Sequence, residues 1–262
     1  MPHGAWERVI TSMESFTKLV PNFLFILLRA GIVLTMLPYF SGRSFPPSFR
    51  IGMAVALSLV LAPVITFPVA NGPTSLIVVR EVMFGMIFGL AARFIFYAVD
   101  MAGHLMSTAS GYSAAATFNP DMGPSTEISQ LFNIIATLLF FATDAHHDLI
   151  TVFIKSYEWL PAGTVNIGGI MEAGVYFATK IFSIALKLSA PIAIIMLITN
   201  ILFGFIYKAA PQMNVYFVGQ PVYIFVGLFT MLLSLPVFMH VMSGYFSSIK
   251  DEMGRVILLM KG

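Results

Sequence analysis

The chain has 262 residues, 58% of them hydrophobic and 10% charged, and a mean hydropathy of +0.89. Soluble domains carry about 25% charged residues, so this is the composition of an integral membrane protein. The net charge of +2 is too small for a nucleic-acid footprint, and the lack of Cys excludes disulfides, thiol catalysis and thiolate metal sites. The apolar segments are helix-sized and lack the short alternation of an outer-membrane barrel, which predicts an all-α fold of long kinked helices and helical hairpins.

Residues 5–20 place Trp6, Val9, Ile10, Met13, Phe16 and Val20 at helical spacing, the pattern of an amphipathic N-terminal helix at the interface or on a partner. The mixed charges before Pro21 lead into no small-residue cleavage site, so no cleaved signal peptide is expected. A first apolar segment follows over 22–40, with Arg29 inside it and Pro38 near its end. A second runs over 49–70, and Asn71-Gly72-Pro73 marks a turn.

The third segment, 76–102, carries Glu81, Gly85, Gly89 and Arg93 at four-residue intervals, roughly along one face. Gly85 and Gly89 permit close helix approach. Charges at membrane depth usually face protein or water, so Glu81 is expected in a contact between proteins; the alternative is a solvated carboxylate beside Arg80 at the interface.

From Gly103 to Glu127 the character changes to Gly, Ala, Ser and Thr without Lys or Arg, ending in Asn119-Pro120-Asp121-Met122-Gly123-Pro124. Such composition favours irregular backbone, which at membrane depth must be buried in protein or line a watery cavity. This predicts a loop over 103–127 acting as a plug or constriction; the alternative is a plain connection. A short fourth segment spans 128–143. Asp144, His146, His147 and Asp148 then crowd together, read as an interfacial helix end rather than a metal site.

Residues 155–172 are polar and turn-rich. The run 173–207 is longer than a membrane span, and Pro191 near its middle should kink or break it into a bent helix or a hairpin. A second overlong run, 215–246, contains Pro221 and Pro236, and the last residues form a mildly basic amphipathic tail. Between the two runs lies Pro211-Gln212-Met213-Asn214, where Gln212 and Asn214 are expected to bond freed backbone or a neighbouring subunit. Most of the 25 Phe and 17 Met read as packing, with a deformable seal as the sharper alternative. Six crossings with 103–127 outside would place eight Lys and Arg inside against three outside, with both termini inside. The phosphate-loop, nucleophile-elbow and zinc-protease motifs are lacking, so no enzyme and no cofactor is expected.

The stretch from Ala210 through Pro211, Gln212, Met213 and Asn214 to Val215, with Gly219 and Pro221, resembles the FliR family of flagellar biosynthesis and type III secretion, whose injectisome homologue is the T subunit. The likeness covers nearly the whole chain: Arg29 and Pro38, Glu81 with Gly85 and Gly89, the small-residue stretch ending Phe118-Asn119-Pro120, the residues 145–149, and Pro191. The resemblance implies one export-gate domain over 1–262, packed in a hetero-oligomer with FliP, FliQ and FlhB. That assembly would stand in the bacterial inner membrane at the flagellar basal body and pass unfolded substrates. It also implies that many helices pack on partners, so that six crossings would be wrong in detail. The plug would be carried by Gly111, Tyr112, Ser113, Thr117, Phe118, Asn119, Pro120, Met122 and Gly123. Subunit packing would fall to Glu81, Gly85, Gly89, Arg93, Pro211, Gln212, Met213, Asn214, Gly219 and Pro221. An autonomous secondary transporter or channel is the competing reading.

Overall fold

A computed structural model describes residues 3–36, 46–65, 73–112, 127–212 and 215–261, with side chains placed from Val20 onward except at 215, 216 and 218. The described residues form eight helices: α1 (His3–Met36), α2 (Pro47–Leu61), α3 (Thr74–Ala109), α4 (Glu127–Ala142), α5 (Ala145–Trp159), α6 (Ile167–Ala209), α7 (Val215–Ser247) and α8 (Ile249–Lys261). The fold is an all-α membrane protein, as the composition requires.

Local chemistry explains several of the ends. Pro47 opens α2, where its missing N–H is not needed. Asn166 caps α6, its Oδ1 accepting from the Gly168 N–H at 2.9 Å. Asp251 and Glu252 stand in the first turn of α8 and Lys261 in its last, matching the helix dipole. Helix α3 stops in a Schellman arrangement: Tyr112 N–H donates to Ser107 O at 3.0 Å and Gly111 N–H to Thr108 O at 3.2 Å, with Gly111 at φ +74°.

Four expectations change. The N-terminal amphipathic segment and the first apolar segment are one helix, continuous through Pro21; the side chains that would give its first half a polar and an apolar face lie outside the described set. The loop expected from Gly103 begins later, because 103–109 belong to α3. Gly103 serves helix packing rather than a turn, since a Cβ there would lie 2.5 Å from Ser129 Cα. Pro191 does not end α6, which removes the hairpin and leaves the bent-helix alternative, and α7 continues through Pro221 and Pro236. A proline removes one backbone bond, a small loss in helices of 43 and 33 residues. Finally, among the described residues α3, α6 and α7 are long and apolar enough to cross a membrane, or four spans if α4 and α5 form one broken span, where the sequence suggested six; α1 from Val20 and α2 are shorter apolar helices.

The chain divides into two packing units. The first comprises 1–93, 147–177 and 250–262. Its core runs from Ile26 and Ala30 on α1 through Phe84 and Phe88 on α3 to Val152 and Tyr157 on α5, with Met253, Val256 and Met260 on α8. Phe88 meets Phe153 edge-on at 6.0 Å, and Phe153 meets Tyr157 at 5.6 Å. The second comprises 94–146 and 178–249. Phe96, Phe140 and Phe246, one each from α3, α4 and α7, form a triangle with ring centroids 5.5–5.7 Å apart. Phe132 and Phe238 add a second α4–α7 contact at 4.8 Å.

Candidate functional site

The most concentrated polar structure lies in the core of the first unit. Arg29 on α1 and Glu81 on α3 are both fully buried, each with 0% exposure. Their pairing is two-pronged: Arg29 Nε donates to Glu81 Oε2 at 2.8 Å and Nη2 to Oε1 at 2.9 Å. The remaining groups are directed too. Nη1 donates to Ser156 Oγ at 3.1 Å and Nη2 to the Leu160 carbonyl at 3.3 Å, while the Ser156 hydroxyl donates a hydrogen bond to Phe153 O. Phe84 and Tyr157 sandwich the guanidinium, their ring centres 4.0 and 4.2 Å from Cζ.

Glu81 also accepts from the Gly163 N–H at 3.1 Å, and neighbouring Arg80 donates from Nη1 to Gly163 O at 2.7 Å. Consecutive residues of α3 thus hold both polar groups of one glycine. Gly163 has φ +82°, as position i+2 of the turn closed by Thr164 N–H on Pro161 O at 3.2 Å. The centre therefore locks α1, α3, α5 and the 160–164 turn together. The Arg29–Glu81 pair is buried and mutually satisfied, so its chemistry is positional. Gly163→Ala should cost about 1–2 kcal/mol through the left-handed backbone alone; the thermal midpoint of the purified protein should fall, and an unchanged midpoint would contradict this role.

Glu81 was expected to meet another protein or water. Its complete burial removes the solvated alternative, and its partner is Arg29 of the same chain. Gly85 and Gly89 continue that contact. A Cβ at Gly85 would lie 3.0 Å from Ile32 Cβ, and one at Gly89 2.5 Å from Met36 Cβ. The row 81, 85, 89 thus lies on the row 29, 32, 36, with α1 and α3 running in the same direction. Arg93 is half-buried, and residues that would extend the α1 row past Met36 lie outside the described set.

In the second unit, Gly111 and Tyr112 are the described part of the expected plug; Ser113, Thr117, Phe118, Asn119, Pro120, Met122 and Gly123 lie outside it, as do Met213 and Asn214. Gln220, which the sequence reading passed over between Gly219 and Pro221, donates from Nε2 to Gly111 O at 3.3 Å. Gly227 admits Ser110, whose Oγ would lie 2.7 Å from an added Cβ. Helix α7 thus holds the residues from which the 113–126 segment departs. Pro211 and Gln212 are exposed, whereas Gly219 is buried.

Asp144, at φ +55°, His146 and His147 bring one possible ligand atom each within 4.8 Å of one another. The His146 ring lies 5.2 Å from Phe141 and 6.2 Å from Phe140.

The family model for bacterial export proteins, family 1, matches residues 20–249. The chain belongs to this family, the FliR family. Its relatives include the flagellar biosynthetic protein FliR of Aquifex aeolicus, 30% identical over 245 residues, which are 92% of this chain and 91% of that protein. FliR of Caulobacter vibrioides is 28% identical over 214 residues, 79% and 85% of the two chains. The secretion system apparatus protein SsaT of Salmonella typhimurium is 27% identical over 168 residues, 63% and 64% of the two chains. The protein is thus a membrane-embedded component of flagellar biosynthesis and export. The family match includes both Arg29 and Glu81.

Proposed function

We propose that this chain is a core subunit of the flagellar type III export gate in the bacterial inner membrane, at the flagellar basal body. It acts without enzymatic chemistry, forming with FliP and FliQ, and in contact with FlhB, the channel for unfolded flagellar substrates. One observation carries the reading beyond family membership. Helix α6 leaves large apolar side chains exposed from Met171 to Tyr207, a length of about 54 Å at 1.5 Å per residue. Even at a steep tilt of about 40° this projects over about 41 Å, more than the roughly 30 Å of hydrocarbon in a bilayer. Hydrocarbon cannot cover all of it, and in this reading neighbouring chains cover the surplus. An autonomous transporter would have to leave that surplus in water.

In this reading the segment 111–123 closes the channel, held at its base by Gln220, and the turn around Pro211, Gln212, Met213 and Asn214 meets neighbouring subunits. The flagellar relatives named above span more of the chain than the injectisome relative does, which favours the flagellar apparatus. Co-expression with FliP and FliQ and capture through a tag on this chain should yield a stoichiometric complex. Purification of a stable, monodisperse chain that ignores both partners would overturn the reading.

A further inference from the structure

Only Thr143 and Asp144 separate α4 from α5. Thr143 N–H donates to Leu139 O at 2.9 Å and Asp144 N–H to Phe141 O at 3.2 Å, so α4 closes on its own carbonyls and α5 starts at once. Asp144 makes this turn at φ +55°, in the left-handed region that Asp enters more readily than most residues. Asp144, His146 and His147 lie within four positions, and each brings a ligand atom within 4.8 Å of the other two. Among the described residues no other three His or carboxylate side chains come together in this way. Because all three belong to one turn, the local backbone sets their arrangement.

A helix end accounts for the carboxylates alone. Asp144 directly precedes α5 and Asp148 stands in its first turn, where the helix dipole favours negative charge. The dipole gives no reason for two consecutive imidazoles. Packing accounts for one of them: His146 is half-buried, with its ring beside Phe140 and Phe141. His147 and Asp144 are exposed.

The donor set has a chemistry of its own. Two imidazole nitrogens and one carboxylate oxygen suit Zn2+, Ni2+ or Cu2+, whereas Mg2+ and Ca2+ take oxygen ligands. Two His and one carboxylate, with a position left for water, is an arrangement that open zinc sites use. Around one Zn2+, bonds of about 2.1 Å at the tetrahedral angle put ligand atoms about 3.4 Å apart. The widest separation here, 4.8 Å, must close by roughly 1.4 Å, which side-chain rotations at exposed Asp144 and His147 can supply. Three ligands in four residues also require little further ordering of the chain. No Lys or Arg occurs between Arg93 and Lys155, so this stretch supplies no cation of its own to compete.

We propose that Asp144, His146 and His147 bind a divalent transition-metal ion, zinc foremost, at the turn between α4 and α5, with water completing its coordination. The proposal does not depend on the export-gate reading.

The full-length chain, captured from detergent-solubilised membranes through a histidine-free tag together with any bound partner, is stripped with a chelator and dialysed against Zn2+, and the bound metal is counted. Wild type should take up one saturable Zn2+ per chain that His147→Gln binds at least about tenfold more weakly, since metal sites lose that much even when a supporting partner is removed. Asp144→Gly should weaken uptake likewise while keeping the left-handed backbone, which Gly adopts readily. His240→Gln, at an exposed histidine of α7, should bind as wild type does, and a large excess of Mg2+ should not displace the zinc. Equal amounts of captured chain in all variants verify that the fold is kept. Wild type without saturable uptake overturns the proposal. So does uptake as tight in His147→Gln and Asp144→Gly as in His240→Gln, because the metal then sits elsewhere.

Discussion

Glu81→Leu alone should destabilise the protein by about 3–5 kcal/mol, because it strands a guanidinium in a fully buried site. Arg29→Met alone should cost a similar amount by stranding the carboxylate. The double variant Arg29→Met with Glu81→Leu should recover part of the loss, since a buried ion pair replaced by apolar groups of similar volume is often close to neutral. Recovery stays incomplete here because Gly163 N–H loses its acceptor and the Leu160 carbonyl its donor, at roughly 1–3 kcal/mol for each group left buried and unpaired. Thermal unfolding of the purified proteins, read by tryptophan fluorescence, should rank wild type above the double variant and the double variant above both singles. A double variant no better than the worse single would mean that the two charges are not coupled.

Gly169→Val should release helix α8. A Cβ at Gly169 would overlap the Leu259 carbonyl, with Leu259 C at 2.8 Å and Met260 Cα at 2.9 Å. These are backbone atoms, so no rotamer change relieves the clash. The helices must separate, which also breaks the bond from Asn166 N–H to Met260 O at 2.9 Å. Undocking exposes Met253, Val256, Ile257 and Met260, all buried completely, and each is worth about 1.5–3 kcal/mol when fully buried. Arg255 is an exposed trypsin site on this helix. Cleavage there should be at least about tenfold faster in the variant, as proteolysis follows the population of the open form. Equal cleavage rates would show that α8 is not held at Gly169.

Much of the architecture was legible because it follows from composition and period. The apolar runs gave the helices, and α4 differs from its expected span by one residue at each end. The row Glu81, Gly85, Gly89 was visible as a face because it needs only the pitch of one helix. Its partner was not visible: Arg29 lies 52 residues away, and nothing in the periodicity of α1 fixes its register against α3. Ser156 and Gly163 were hidden for the same reason. Gly103 misled because glycine among small residues suits both a turn and a close helix crossing, and only the position of Ser129 decides between them. Gly111, eight residues on, was the real stop. Of the two forms Pro191 allowed, a bent helix or a hairpin, the continuous α6 excludes the hairpin, since one missing donor need not end a long helix.

Ion permeability of the assembled complex, with and without residues 111–123, tests most directly whether this chain closes a channel. In proteoliposomes holding the complex with FliP and FliQ, removal of the segment should convert a tight membrane into one that leaks small ions, while the subunits still co-purify in their normal ratio. An intact complex that stays equally tight after the deletion would contradict the role of this chain as the closing element of the gate.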